Sequence, residues 1–197
     1  LEEFNPQFCF NLHDQRTIFG VEGSTKPATI SFLAPSEEES RAITKGRKET
    51  MNVIVAMNKT LQKVIPGAVG LYTDEFYPTA TGDNFQKLGY NTILIEAGHY
   101  PKDYVREETR KYNFFALLQG IYHIAKTSNF TDFEDYLKIP KNVKNFYDVI
   151  HRNASKEDVV YQYEELLVNN KLVFQLKLVS EKITNSHFFH SEIVFED

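Results

Sequence analysis

Apolar positions along the chain follow two periods. Phe8 to Leu12, Thr29 to Leu33 and Thr92 to Ile95 are short β-branched, aromatic and aliphatic runs that read as buried strands, the first two separated by a loop from Gly20 to Pro27. Met51, Ile54, Met57, Leu61 and Val64 instead recur at spacings of three and four, which predicts a helix. Its start is predicted at Ser36, an N-cap with Glu39 as its capping-box partner, and Pro66-Gly67 marks its end. A second long helix is predicted over about residues 103–126, with Tyr112, Phe115, Leu118 or Ala116, Ile121 and Tyr122 on its apolar face. Strands alternating with long helices predict an α/β fold, a mixed, largely parallel sheet flanked by those helices.

The pattern changes near Asn129. Val159 to Val168 and Leu172 to Leu178 read as two strands meeting at the tight turn Asn169-Asn170, and Phe188 to Phe195 as a further strand. A helix over Asp158 to Val168 competes, because Val159, Tyr163 and Leu166 also fit helical spacing. The expected division is therefore an α/β unit at 1–128 and a small β-rich appendage at 129–197.

Composition narrows the class without naming the chemistry. At 197 residues, 42% hydrophobic and 25% charged, the chain can bury one core and a small appendage. A net charge of -5 argues against a nucleic-acid surface, which needs clustered Lys and Arg. No apolar run approaches the roughly 18 residues of a membrane span, so no membrane partner is expected; the compartment stays open, with the cytoplasm favoured. The lone Cys9, between Phe8 and Phe10, reads as a core thiol.

Chemistry concentrates at two strand ends. Phe10-Asn11-Leu12-His13-Asp14-Gln15-Arg16 delivers one histidine at the exit of an apolar run, and Thr92 to Glu96 delivers one carboxylate before Ala97-Gly98. A strand that carries one ionisable side chain to its carboxyl end is how open α/β sheets build active sites. The competing readings are a hydrogen-bonded structural histidine and a salt-bridged glutamate. Asp14, Gln15 and Arg16 either fix the His13 ring or form a solvated loop. His187 and His190 are three apart, an odd offset that sends them to opposite faces of a strand. The loop Gly20 to Lys26 lacks the Gly-Lys-Ser/Thr ending of a phosphate loop.

His13 and Glu96, with Tyr77-Pro78-Thr79-Ala80-Thr81-Gly82-Asp83-Asn84-Phe85 between them, resemble the C-terminal half of the zinc carboxypeptidase family, the carboxypeptidase A-like metallopeptidases. The resemblance covers roughly the first 125 residues. It implies that His13 is the last zinc ligand, Glu96 the general base and Tyr77 a mobile tyrosine over the substrate. It also implies that Asp83, Asn84 and Arg16 contribute to substrate binding, with a peptide or small amide as substrate. The family's His-x-x-Glu motif and its carboxylate-binding arginines lie upstream of the third ligand. Only twelve residues precede His13, and no histidine here has a Glu three positions later. The chain thus reads as the C-terminal part of a larger enzyme that would bind Zn2+ when joined to the rest of its domain. Two alternatives stay open: a zinc deacylase of N-acyl amino acids on the same scaffold, and a non-catalytic binding or structural unit.

Overall fold

A computed structural model of the chain describes residues 3–127, 129–153, 157–179 and 183–195. Its first half is a four-stranded mixed sheet. The strands are β1 (Phe8–Asp14), β3 (Ile30–Leu33), β4 (Val69–Leu71) and β5 (Asn91–Ala97), and a short β2 (Phe19–Val21) lies outside that sheet. The order is β1-β5-β3-β4, with β1 parallel to β5, β5 antiparallel to β3 and β3 parallel to β4. The fold is mixed α/β as expected, but the sheet contains two strand directions in equal number.

One face of that sheet makes the core. Ile30, Phe32, Val69, Ile93 and Ile95 are fully buried with Met51, Ile54, Met57 and Leu61 of α1 (Lys45–Leu61). The helical period over 51–61 is therefore correct, whereas Val64 lies beyond the helix and is exposed. The predicted start at Ser36 is not used. Ser36 Oγ donates to the Asp74 carbonyl at 2.7 Å, and Arg41 sits at φ 54, where a helix cannot continue. Thr44 caps α1 instead, accepting from the Arg47 N–H at 3.2 Å. The buried Arg47 donates to the Ala34 and Arg41 carbonyls and pairs with Asp74, which straps the 34–44 segment to the sheet.

α3 (Glu107–Lys126) starts later than predicted because Arg106, at φ 69, takes a left-handed turn just before it. Its predicted face is correct at Tyr112, Phe115 and the alternative Ala116, which turn to the core with Thr109 and Gly120, whereas Leu118, Ile121 and Tyr122, with Phe114, face out. The cause is close approach, since a Cβ on Gly120 would sit 2.8 Å from Met57 Sδ and 3.1 Å from the Phe10 ring. A packing surface this near selects small residues and turns the large ones away.

The 3-10 helix Asp132–Lys138 returns the chain to this unit. Tyr136 and Ile139 are part of its core, and Lys59 bridges Asp132 and Asp135 at 3.2 and 3.3 Å. Residues 132–139, expected in the appendage, thus pack against α1. β6 (Asn142–Lys144) then pairs with β2, and a second sheet follows. It contains β7 (Phe146–Asn153), β8 (Val159–Val168), β9 (Lys171–Val179) and β10 (Phe188–Phe195) in the order β10-β7-β8-β9. The predicted hairpin is present and the competing helix is not. Asn169 and Asn170 have φ 51 and 59, the left-handed pair that a two-residue hairpin turn requires.

The two sheets meet through aromatic rings and one buried carboxylate. Asp148 accepts from Tyr104 Oη at 3.1 Å and from the Tyr163 N–H at 2.8 Å, and from the Gln162 amide. His190 donates to the Thr17 carbonyl at 2.8 Å, and its ring lies 4.1 Å from that of buried His99. Burial, then the neighbouring His190, holds His99 down at about 3, so this ring is neutral. Among the described residues no helix is long and apolar enough to cross a membrane.

Candidate functional site

The second face of the first sheet carries the polar residues. In the strand register His13 of β1 stands beside Glu96 of β5, Glu96 beside Ser31 of β3, and Ser31 beside Gly70 of β4. Paired residues on adjacent strands project to the same side, so this row crosses the sheet on the face opposite the core. It lies at the carboxyl ends of β1 and β5 and near the amino ends of β3 and β4. α2 (Thr81–Lys87) covers the same face farther down, where Gly82 packs against Asn11 and Thr92.

His13 and Glu96 come together as the sequence predicts. His13 Nδ1 lies 3.9 Å from Glu96 Oε1, too long for a hydrogen bond and close enough for both to reach one bound species. The other ring nitrogen, Nε2, is 3.1 Å from Asn11 Oδ1. An amide oxygen only accepts, so Nε2 is the donor in this contact, and Nδ1 is turned to the carboxylate side. This orienting role belongs to Asn11. Asp14 and Gln15 are engaged elsewhere, and Arg16 is exposed with no hydrogen bond or ion pair among the described residues.

Glu96 is buried, while His13 is open to solvent. Burial, reinforced by the charge of Asp14, pushes the Glu96 carboxyl up from its ordinary 4.5 to about 7. Asp14 is held by Arg106, whose guanidinium also donates to the Ala97 carbonyl at 2.6 Å. Arg106 therefore ties the ends of the two strands that carry His13 and Glu96. On the other side of Glu96, Ser31 Oγ donates to Asn142 Oδ1 at 3.1 Å, and Asn142 Nδ2 donates to Gln15 Oε1 at 3.0 Å. Gly70 makes room for this amide: a Cβ there would lie 2.1 Å from Asn142 Oδ1. Tyr72, just after β4, is raised by burial and then by the Glu96 charge, which puts its hydroxyl within that carboxylate's field.

The remaining predicted residues are tied up in their own loop. Tyr77 is half exposed, its hydroxyl donating to Glu75 Oε2 at 2.9 Å and its N–H to Asp83 Oδ1 at 3.1 Å. Asn84 donates to the carbonyls of Pro78 and Ala80 at 2.8 and 2.9 Å. Asp83 and Asn84 thus shape the tyrosine loop from within. Gly98, just after the Glu96 strand, is required by packing: a Cβ there would fall 1.8 Å from the Ala28 carbonyl oxygen. Cys9 is a free, partly buried thiol on β1, and not a core residue.

The donor set admits a metal only in part. A catalytic zinc takes three protein ligands, and His13 Nδ1 is a suitable one, with its ring oriented by Asn11. Among the described residues no group of three or more His, Cys, Asp or Glu side chains converges on a point. Asn11 was within reach of sequence reasoning, since residues two apart on a strand share a face. Arg106, Asn142 and Tyr72 carried no local signal, because each arrives from a distant part of the chain. Comparisons with protein-family models, curated proteins and solved structures return no match.

Proposed function

We propose that the His13–Glu96 face is part of the active site of a zinc-dependent, carboxypeptidase-like hydrolase that cleaves the C-terminal peptide or amide bond of its substrate. The observation that carries the reading is the pair itself: an exposed imidazole whose Nδ1 lies 3.9 Å from a buried carboxyl held at about 7. A general base works best when its pKa lies near the operating pH, and burial beside Asp14 gives Glu96 that property. In this reading His13 supplies one zinc ligand, and further ligands come from polypeptide outside these 197 residues. Two exposed features support that arrangement: β1 is an edge strand, and the outward stripe Phe114, Leu118, Ile121 and Tyr122 of α3 is uncovered.

Bound zinc would polarise the scissile carbonyl and acidify the attacking water. Glu96 takes the proton of that water and returns it to the leaving amine. Asn11 keeps the His13 ring in its orientation, and Arg106 keeps the two strand ends at a fixed separation. Tyr77 closes over the substrate only after leaving Glu75, a single exposed hydrogen bond. A polypeptide that contains this chain and the remaining ligands should, loaded with zinc, release the last residue from a peptide with a free α-carboxylate. Zinc-loaded protein that releases no residue from a panel of such peptides or from N-acyl amino acids refutes the proposal.

A further inference from the structure

The hairpin β8–β9 ends the second sheet with a bare edge. Val168 and Lys171 flank a two-residue turn, so they form a hydrogen-bonded pair, and bonding alternates from there along the ladder. Lys171, Val173, Gln175, Lys177 and Val179 turn their backbone groups toward β8. Leu172, Phe174, Leu176 and Leu178 turn theirs outward, leaving four N–H and four C=O groups without a partner among the described residues. The Tyr163 N–H, which points away from β9 to reach Asp148, fits this alternation.

The same four residues carry exposed apolar side chains along one face of the strand, with Leu176 39% and Leu178 60% exposed, while exposed Val173 lies on the other face. Tyr163 and Leu167 of β8, paired with Leu176 and Leu172, continue that face. Soluble proteins protect such an edge with a proline, a bulge or a charge that points into the pairing face. β9 has no proline and runs in unbroken register from Lys171 to Val179. Its two lysines lie on the opposite face, where Lys177 is bound to Glu164 at 3.2 Å.

We propose that β9 pairs with β9 of a second copy of this chain, antiparallel about a two-fold axis at Gln175, to give one continuous eight-stranded sheet. The edge is self-complementary in this register and poorly so in its neighbours. Leu172 meets the partner's Leu178 and Phe174 the partner's Leu176, all as hydrogen-bonded pairs, and their side chains pack across the seam. Each lysine faces a valine: Lys171 the partner's Val179, and Lys177 the partner's Val173. Centring the axis on Phe174 would set Lys171 directly against Lys177, and centring it on Leu176 would leave Leu172 without a partner inside the strand. The contact is isologous, so it closes at two copies and does not propagate along this edge.

Sedimentation velocity on the whole chain tests this. At about 100 µM, a concentration suited to a small interface, the wild-type chain should be a dimer. Leu176→Pro removes an N–H that β8 does not use, so the variant should be monomeric, with an unfolding midpoint equal to that of wild type when both are diluted to monomer. In a Cys9→Ser background, Gln175→Cys should oxidise to a covalent dimer, because residues opposed without hydrogen bonds lie about 4.5 Å apart at Cα. Lys177→Cys, opposite the partner's Val173, should not. A wild-type monomer, a dimer that survives Leu176→Pro in folded protein, or equal crosslinking by the two cysteine variants would overturn the proposal. If Leu176→Pro does not fold, the cysteine pair decides alone.

Discussion

Replacing Glu96 by Gln should make the protein more stable, by an amount that grows from about pH 4.5 to about pH 7 and then levels off. The carboxyl is buried, makes no hydrogen bond among the described residues, and stands at about 7 against an ordinary 4.5. Because its folded pKa is raised, the folded state binds the proton more tightly than the unfolded state. The stability that accompanies protonation is fully present below about 4.5 and is lost as pH climbs through about 7. Raising a carboxyl by that much costs the ionised fold about 3 kcal/mol, at about 1.4 kcal/mol per tenfold change. Glutamine is nearly isosteric and has no charge to desolvate. The difference between variant and wild type should therefore be near zero at pH 4.5 and reach about 3 kcal/mol at pH 8, roughly 6–12 °C in Tm for a chain of this size. Urea unfolding of both proteins across that range measures it, and taking the difference cancels other titrations, His99 included. A variant no more stable than wild type at pH 8, or a pH-independent difference, would show that Glu96 is not a strained carboxyl.

Three further outcomes follow from the geometry. Equilibrium dialysis of this chain should find zinc bound only weakly, with Kd in the millimolar range, since one ligand supplies roughly 3–4 kcal/mol; stoichiometric retention would mean that further ligands are present. Gly98→Ala should cost about 3 kcal/mol or more, because its Cβ meets a backbone carbonyl, whereas Gly120→Ala should stay within about 1 kcal/mol, because Met57 can move and alanine favours the helix; equal costs in chemical denaturation would contradict the packing described. His99, faced by His190, Tyr104, Arg106 and Asp103, is held well below its ordinary 6.5, so wild-type stability should fall as pH drops from about 6.5 toward 3, by of order 4 kcal/mol, while His99→Phe flattens that limb; parallel curves would refute the buried neutral ring.

Local chemistry made much of the fold legible. The Asn169-Asn170 turn and the alternation on either side of it fix the hairpin, because both the turn type and the strand period are encoded within ten residues. Met51 to Leu61 declare α1 for the same reason. The helix starts are different: Ser36 and Glu39 form a correct local signal that loses to Asp74, thirty-eight residues away, and to the left-handed Arg41. The inward face of α3 was legible at Tyr112 and Phe115, but periodicity rewards large apolar residues, while the packing there is so close that Ala116, and not Leu118, takes the contact together with Gly120. At the site, strand ends gave His13 and Glu96, but the groups that hold them arrive by long-range closure. Arg106 reaches Asp14 from the start of α3, and Asn142 reaches Ser31 from a strand of the other half. The resemblance that ties Tyr77, Asp83 and Asn84 to substrate finds them bonded to one another and to their own loop.

The most direct test compares zinc content and turnover for two variants of a polypeptide that contains this chain and the remaining zinc ligands. Glu96→Gln should keep its zinc and lose at least about 100-fold in kcat, since the amide cannot take a proton, and His13→Ala should lose zinc first. A Glu96→Gln enzyme within about threefold of wild type, or a His13→Ala enzyme that retains full zinc, would contradict the central claim that these two residues share one hydrolytic site.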